Sequence, residues 1–125
     1  MALTTTGVPD IRVYFGPSLQ AKLIQCQPAV SDYPIGGWVL TAEQIDFGNG
    51  HLLGGEIWAQ AYSASSSPSY QVNLPASSFG TAPQPSTTSL SISAFGSGAS
   101  GSLSAEIPAS TDLSAYPFWL MAYGY

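Results

Sequence analysis

The sequence predicts an all-β fold, an antiparallel β-sandwich of jelly-roll-like or immunoglobulin-like type, and three observations predict it. Apolar and polar residues alternate one by one through several short runs, which sends one row of side chains into a core and the next into solvent. Helical signals are nearly absent, because no long window repeats its apolar positions at three and four without meeting Gly, Pro or Ser. Turn residues separate the runs, with 13 Gly and 10 Pro in 125 residues, a spacing that suits about seven or eight short strands in two layers. The Cys, Trp, Cys spacing of true immunoglobulin domains is missing, since the chain has one Cys.

The elements follow in order. Residues 1–125 read as one domain with a short amino-terminal arm over about the first ten residues. Residues 11–15 are β-branched and aromatic, and after the turn pair Gly16-Pro17 a second strand runs over 19–27. Tyr33-Pro34-Ile35-Gly36-Gly37 is a turn or bulge that feeds a strand at Trp38, Val39 and Leu40. Thr41-Ala42-Glu43-Gln44 has capping-box spacing and predicts one short helical turn ending before Phe47. Gly48-Asn49-Gly50 is a turn, and 51–62 reads as a long strand broken or bulged at Gly54-Gly55. Tyr70, Val72 and Leu74 share a dry face against Gln71 and Asn73. Leu90, Ile92 and Ala94 do so against Ser91 and Ser93, and Leu103, Ala105 and Ile107 form a third such row. Between these runs lie an exposed Pro/Ser excursion over 75–88 and a Gly/Ser hairpin loop over 96–101. The closing run, 118–123, is apolar on both faces, which suits a central strand or one whose outer face meets a partner.

Composition narrows the function. Hydrophobic residues make up 45% of the chain, which excludes disorder, whereas charged residues make up only 7% against about a quarter in ordinary domains. A surface of Ser, Thr, Gly and Pro replaces the missing charge and lacks the ionic repulsion that keeps monomers apart, so it suits close neutral contact with other protein. The net charge is −5, with Arg12 and Lys22 as the only permanent cations. That argues against nucleic acid, which demands clustered Lys and Arg, and against anionic membranes. Cys26 has no disulfide partner and sits in the apolar stretch around Leu23 and Ile24, where a buried thiol is expected. The residues from Met1 to Pro9 carry no secretory signal pattern, and no run approaches the ~18 apolar residues of a membrane span. Synthesis in a cytoplasm is expected.

Chemistry finds few candidates. His51 is the only imidazole, and no Gly-x-Ser-x-Gly elbow accompanies it, so it reads as structural or exposed. Glu43 and Asp46 are the only acidic pair at ligand spacing, and they flank a turn. Asp32, Glu56, Glu106 and Asp112 form no motif that marks them as a glycosidase pair. No enzyme activity, metal or cofactor is expected. The aromatic residues are more informative: Trp38 and Trp58 are assigned to the sandwich core, while the carboxy-terminal strand is hard to hide in one interior. Phe118, Leu120 and Ala122 lie on one side of it. Trp119, Met121, Tyr123 and Tyr125 on the other are the candidate protein interface.

Three segments together resemble small virion structural proteins of tailed bacteriophages: Asp32-Tyr33-Pro34-Ile35-Gly36-Gly37-Trp38, Ala109-Ser110-Thr111-Asp112-Leu113-Ser114-Ala115-Tyr116, and the ending Leu120-Met121-Ala122-Tyr123-Gly124-Tyr125. The shared features are a Tyr-Pro-x-Gly-Gly segment, a Thr-Asp-Leu-Ser segment and an aromatic Gly-Tyr ending; the 75–88 stretch departs from the pattern as an insertion. The resemblance implies a head decoration, or cement, protein that binds the outside of an assembled capsid. It implies the major capsid protein and further copies of the chain, as a dimer or trimer, as partners, and the virion surface as location. A tail-fibre or receptor-binding module that grips carbohydrate with exposed aromatics is the second expectation, and a small glycan-active enzyme a distant third.

Overall fold

The computed structural model describes residues 3–14, 19–61, 68–75, 87–96 and 105–125, those of 7–14 by backbone alone. Among them the chain forms β1 (Leu3–Tyr14), β2 (Gln20–Pro28), β3 (Trp38–Thr41), α1 (Ala42–Ile45), β4 (Leu52–Gln60), β5 (Ser69–Asn73), β6 (Ser89–Gly96), β7 (Ala105–Glu106) and β8 (Phe118–Gly124). The strands make two antiparallel sheets, ordered β1-β2-β8-β4 and β3-β6-β5, with β7 added to β6. The all-β, antiparallel expectation holds, and the layers are those of a sandwich. Ile24, Cys26, Leu52, Phe118 and Leu120 of the first sheet meet Trp38, Leu40, Leu90, Ile92 and Ala94 of the second in one buried cluster. Each large apolar side chain so enclosed contributes about 1.5–3 kcal/mol.

Trp38 stands at the centre. Its ring lies edge-on to Tyr33 at 5.1 Å between centroids and 6.2 Å from Phe118, whose own ring is 4.3 Å from Tyr70. Such offset and edge contacts are favoured because the positive edge of one ring meets the negative face of another. Cys26 is fully buried, and desolvation pushes its thiol up to about 12, as the apolar stretch around it predicts.

Local sequence sets the joints. Thr41 caps α1 by accepting from the Gln44 backbone N–H at 3.1 Å, while the Gln44 side chain accepts from the Thr41 N–H at 2.9 Å. The helical turn is the one that the capping box predicts. It ends at Asp46, whose φ is +69°. There Lys22, only 6% exposed, donates through Nζ to the carbonyls of Ile45 and Asp46 and lies 4.9 Å above the Phe47 ring. The cation thus closes the carbonyl end of the turn and leaves the surface.

Several expectations need correction. Residues 3–10, expected as an arm, belong to β1, because their backbone pairs with β2 from Leu3 opposite Pro28 to Gly7 opposite Ile24. Ser93, expected on a wet face, is buried, since it accepts from Asn73 Nδ2 at 2.8 Å and donates to the Gly36 carbonyl at 3.4 Å. Ala105, expected in a dry row, is exposed on the two-residue β7, while Ile107 packs on the core. β4 does break its register between Leu52 and Gly54, beside the predicted Gly54-Gly55, but it breaks again between Ile57 and Ala59. The Gly16-Pro17 turn, Phe15, Tyr62, Leu103 and most of the 75–88 and 96–101 segments lie outside the described residues.

Candidate functional site

Two constellations stand out. The first is a latch made from the motif loops. Tyr33, 2% exposed, donates through its hydroxyl to Glu106 Oε2 at 2.7 Å and accepts from the Ala94 N–H at 2.9 Å. The same carboxylate oxygen accepts from the Gly36 N–H at 2.8 Å. Burial and the adjoining Glu106 together raise the Tyr33 phenol to about 12, burial contributing most. Gly36 and Gly37 take φ of +84° and +97°, and a Cβ on Gly37 would stand 2.3 Å from the Ile92 carbonyl oxygen, so the second glycine is required by space as well as by conformation. On the other side, Ser110 N–H donates to the Tyr33 carbonyl at 2.8 Å. Asp112 Oδ1 accepts from both the N–H and the hydroxyl of Ser114, at 3.0 and 2.6 Å, and these bonds hold its carboxyl below the ordinary value. Gln27 Nε2 then donates to the Ser114 carbonyl at 2.8 Å. The Tyr-Pro-x-Gly-Gly segment is thus tied to Glu106 and to Ser110, the residue before the Thr-Asp-Leu-Ser segment, and that second segment is tied to β2 through Gln27. The groups named here are engaged in internal bonds, so the latch supports the fold.

The second constellation is the outer face of the first sheet. β8 is central in it, and alternation divides the strand cleanly: Phe118, Leu120, Ala122 and Gly124 are buried, while Trp119, Met121 and Tyr123 are half-buried on the opposite side. Glu56 lies opposite Met121 and Ala59 opposite Trp119 on β4. Tyr123 donates through its hydroxyl to Glu56 Oε1 at 2.6 Å, and that bond raises the Tyr123 phenol. Towards β2 the same face closes at Leu23, opposite Met121, and Ala21, opposite Tyr123, each 3% exposed, but is open at Gln25, opposite Trp119. Towards β4 it stays open. Trp58 is 60% exposed, and at the Trp119 end of the face an open depression of about 290 Å³ is lined by Gln25, Ala59, Gln60, Ala61, Pro117, Phe118 and Trp119.

The assignment of Trp58 to the core is overturned. Ile57 packs on the core opposite Leu120, so alternation turns Trp58, like Glu56, out of the interior, and the register shift that follows sets Ala59 opposite Trp119 on the same side. Of the four residues picked as an interface, Trp119, Met121 and Tyr123 come together on the open face. Tyr125 sits past the strand end, where its ring stacks on His51 at 4.8 Å and its backbone exchanges two 3.0 Å hydrogen bonds with that residue. His51 has a structural place in this pairing. Sequence reasoning missed Glu56 and Trp58 as members of the face. Alternation about Ile57, which packs on the core, puts both Glu56 and Trp58 on the outer side; the bulge that adds Ala59 to that side has no local signature.

Of the carboxylates considered for sugar hydrolysis, Glu56 is on the outer face, whereas Glu106 and Asp112 serve the latch. Among the described residues no three His, Cys, Asp or Glu side chains stand close enough to hold a metal ion, and no helix is long and apolar enough to cross a membrane. No protein-family model matches the chain, nor does any curated protein or solved structure.

Proposed function

We propose that the protein is a bacteriophage head decoration protein that binds the outside of an assembled capsid through the open face of β8 and β4. The observation that carries this reading is the exposure of Trp58 beside half-buried Trp119, Met121 and Tyr123, on a central strand whose other face is fully used by the core. Large aromatics grouped on a neutral surface are what interface centres are made of, and such residues commonly cost ~2 kcal/mol or more on truncation. Many copies bridging neighbouring capsid subunits would add avidity to modest single contacts, and a protein that binds only the assembled shell stabilises it by mass action. We also read the strand order as jelly-roll-like. The last strand, β8, lies beside β2 and β4, in the slot where an immunoglobulin order seats its fifth strand. In this reading the protein acts as an oligomer without catalysis, metal or cofactor.

The test is cosedimentation with heads assembled without the protein. Trp119→Ala is expected to weaken binding at least about tenfold while the variant stays folded. Wild-type protein that fails to sediment with heads would refute the reading.

One observation favours a second reading, a tail-fibre or receptor-binding module. Trp119 lines, with Gln25 and Gln60, a shallow depression in which a sugar ring could stack on the indole and meet side-chain amides. Quenching of tryptophan fluorescence by cell-surface oligosaccharides, lost in Trp119→Ala, would favour it over decoration.

A further inference from the structure

We propose that Glu56 makes this face a receptor for a lysine or arginine side chain on the capsid subunit, a proposal that rests on the decoration reading and adds the chemistry of the partner. Three observations converge. Glu56 is exposed, and its neighbours on the face are Trp58, Met121 and Tyr123. Covering that patch with an apolar partner would strip a carboxylate of water with only the Tyr123 hydroxyl in return, which is strongly unfavourable unless a cation arrives with the partner.

Of the chain's two side-chain cations, Lys22 is 6% exposed and bonded to the carbonyls of Ile45 and Asp46, and the side chain of Arg12 lies outside the described residues; a second copy is disfavoured by net charge. Glu43, Asp46 and Asp112 are also exposed, so the described surface is acidic, in keeping with a net charge of −5. Two copies pressed together at this patch would bring like charges near each other. A basic shell segment meets the opposite field. The Tyr123 bond orients Glu56 by occupying Oε1, which leaves Oε2 for a charge-assisted contact, and Trp58 offers a ring for the cation or its aliphatic stem.

The experiment uses the full chain and heads assembled without it, in a series of rising sodium chloride concentrations. Wild-type binding is expected to fall with salt. Glu56→Gln, which keeps shape and the Tyr123 bond but not the charge, should bind about tenfold or more weakly and lose much of the salt dependence; Glu56→Lys should not bind. Glu43→Gln, a carboxylate away from the face, should behave as wild type, and circular dichroism checks that all variants are folded. Glu56→Gln binding with wild-type affinity and salt dependence overturns the proposal while leaving the decoration reading intact. Glu56→Gln that self-associates where wild type does not overturns it in favour of a self-contact. Wild type that never sediments with heads removes the decoration reading and the proposal with it.

Discussion

The two faces of β8 differ by one residue in sequence and by nearly everything in environment. Phe118, Leu120 and Ala122 are each 1% exposed or less, whereas Trp119, Met121 and Tyr123 remain half open. Both rows are apolar, so hydropathy alone does not separate them. What separates them is layering: the second sheet brings Trp38 and Tyr70 against Phe118, whereas Trp119 and Met121 point away from that sheet. A strand that is apolar on both faces in a two-layer fold thus marks the place where the interior has run out and a surface begins.

The largest expected effect comes from the inner face. Phe118→Ala removes a ring packed against Trp38 and Tyr70 and leaves a cavity that the sandwich fills poorly, so it should cost about 3–5 kcal/mol in urea unfolding. A loss under about 1 kcal/mol would show that the inner face is no more committed than the outer. Next in size is Tyr33→Phe. It keeps the ring beside Trp38 but strips the hydroxyl that serves Ala94 N–H and Glu106, leaving a buried donor unsatisfied, and should cost about 1–3 kcal/mol. If that variant is as stable as wild type, the latch does not support the core from the far sheet.

Much of this contrast is legible in the sequence. Thr41 and Gln44 announce their reciprocal cap, Leu90, Ile92 and Ala94 announce a buried row, and Cys26 announces a buried thiol, because each depends on neighbours a few residues away. The two-row reading of β8 likewise needs only a period of two. What stayed hidden depends on distant pairing. Trp58 reads as core on its size and hydropathy; pairing with β8 shows that Ile57 belongs to the inner row of β4, which turns Trp58 out. The first residues looked like an arm because only β2 gives them partners. Nothing near Glu106 says that its carboxylate will close on Tyr33 and Gly36, 73 and 70 residues away.

On the outer face the expected stability effects are smaller. Trp119→Ala exposes no interior and should cost about 1 kcal/mol or less in the same urea assay, set against its larger effect on binding to heads. A loss near that of Phe118→Ala would place Trp119 in the core and refute its assignment as an interface residue.

The smallest effect is a titration that compares tyrosines on the two sides. Tyr70, on the inner side, is raised mainly by desolvation, whereas Tyr123, on the outer side, is raised first by its hydrogen bond to Glu56 and only then by burial. A phenol whose folded value lies above its unfolded one contributes stability that is complete below the unfolded value of 10.0 and is lost as pH rises through the folded one. Both residues therefore favour the fold at neutral pH and release that contribution in alkali, but for different causes. Glu56→Gln removes the charge that disfavours a second negative oxygen beside it, while the side-chain oxygen still accepts. Tyr123, followed by the NMR signal of its Cζ carbon, should then ionise at lower pH than in wild type, with Tyr70 and Tyr33 unmoved. A Tyr123 midpoint that stays in place would show that burial governs this phenol too, and that the outer face is drier than its exposure indicates.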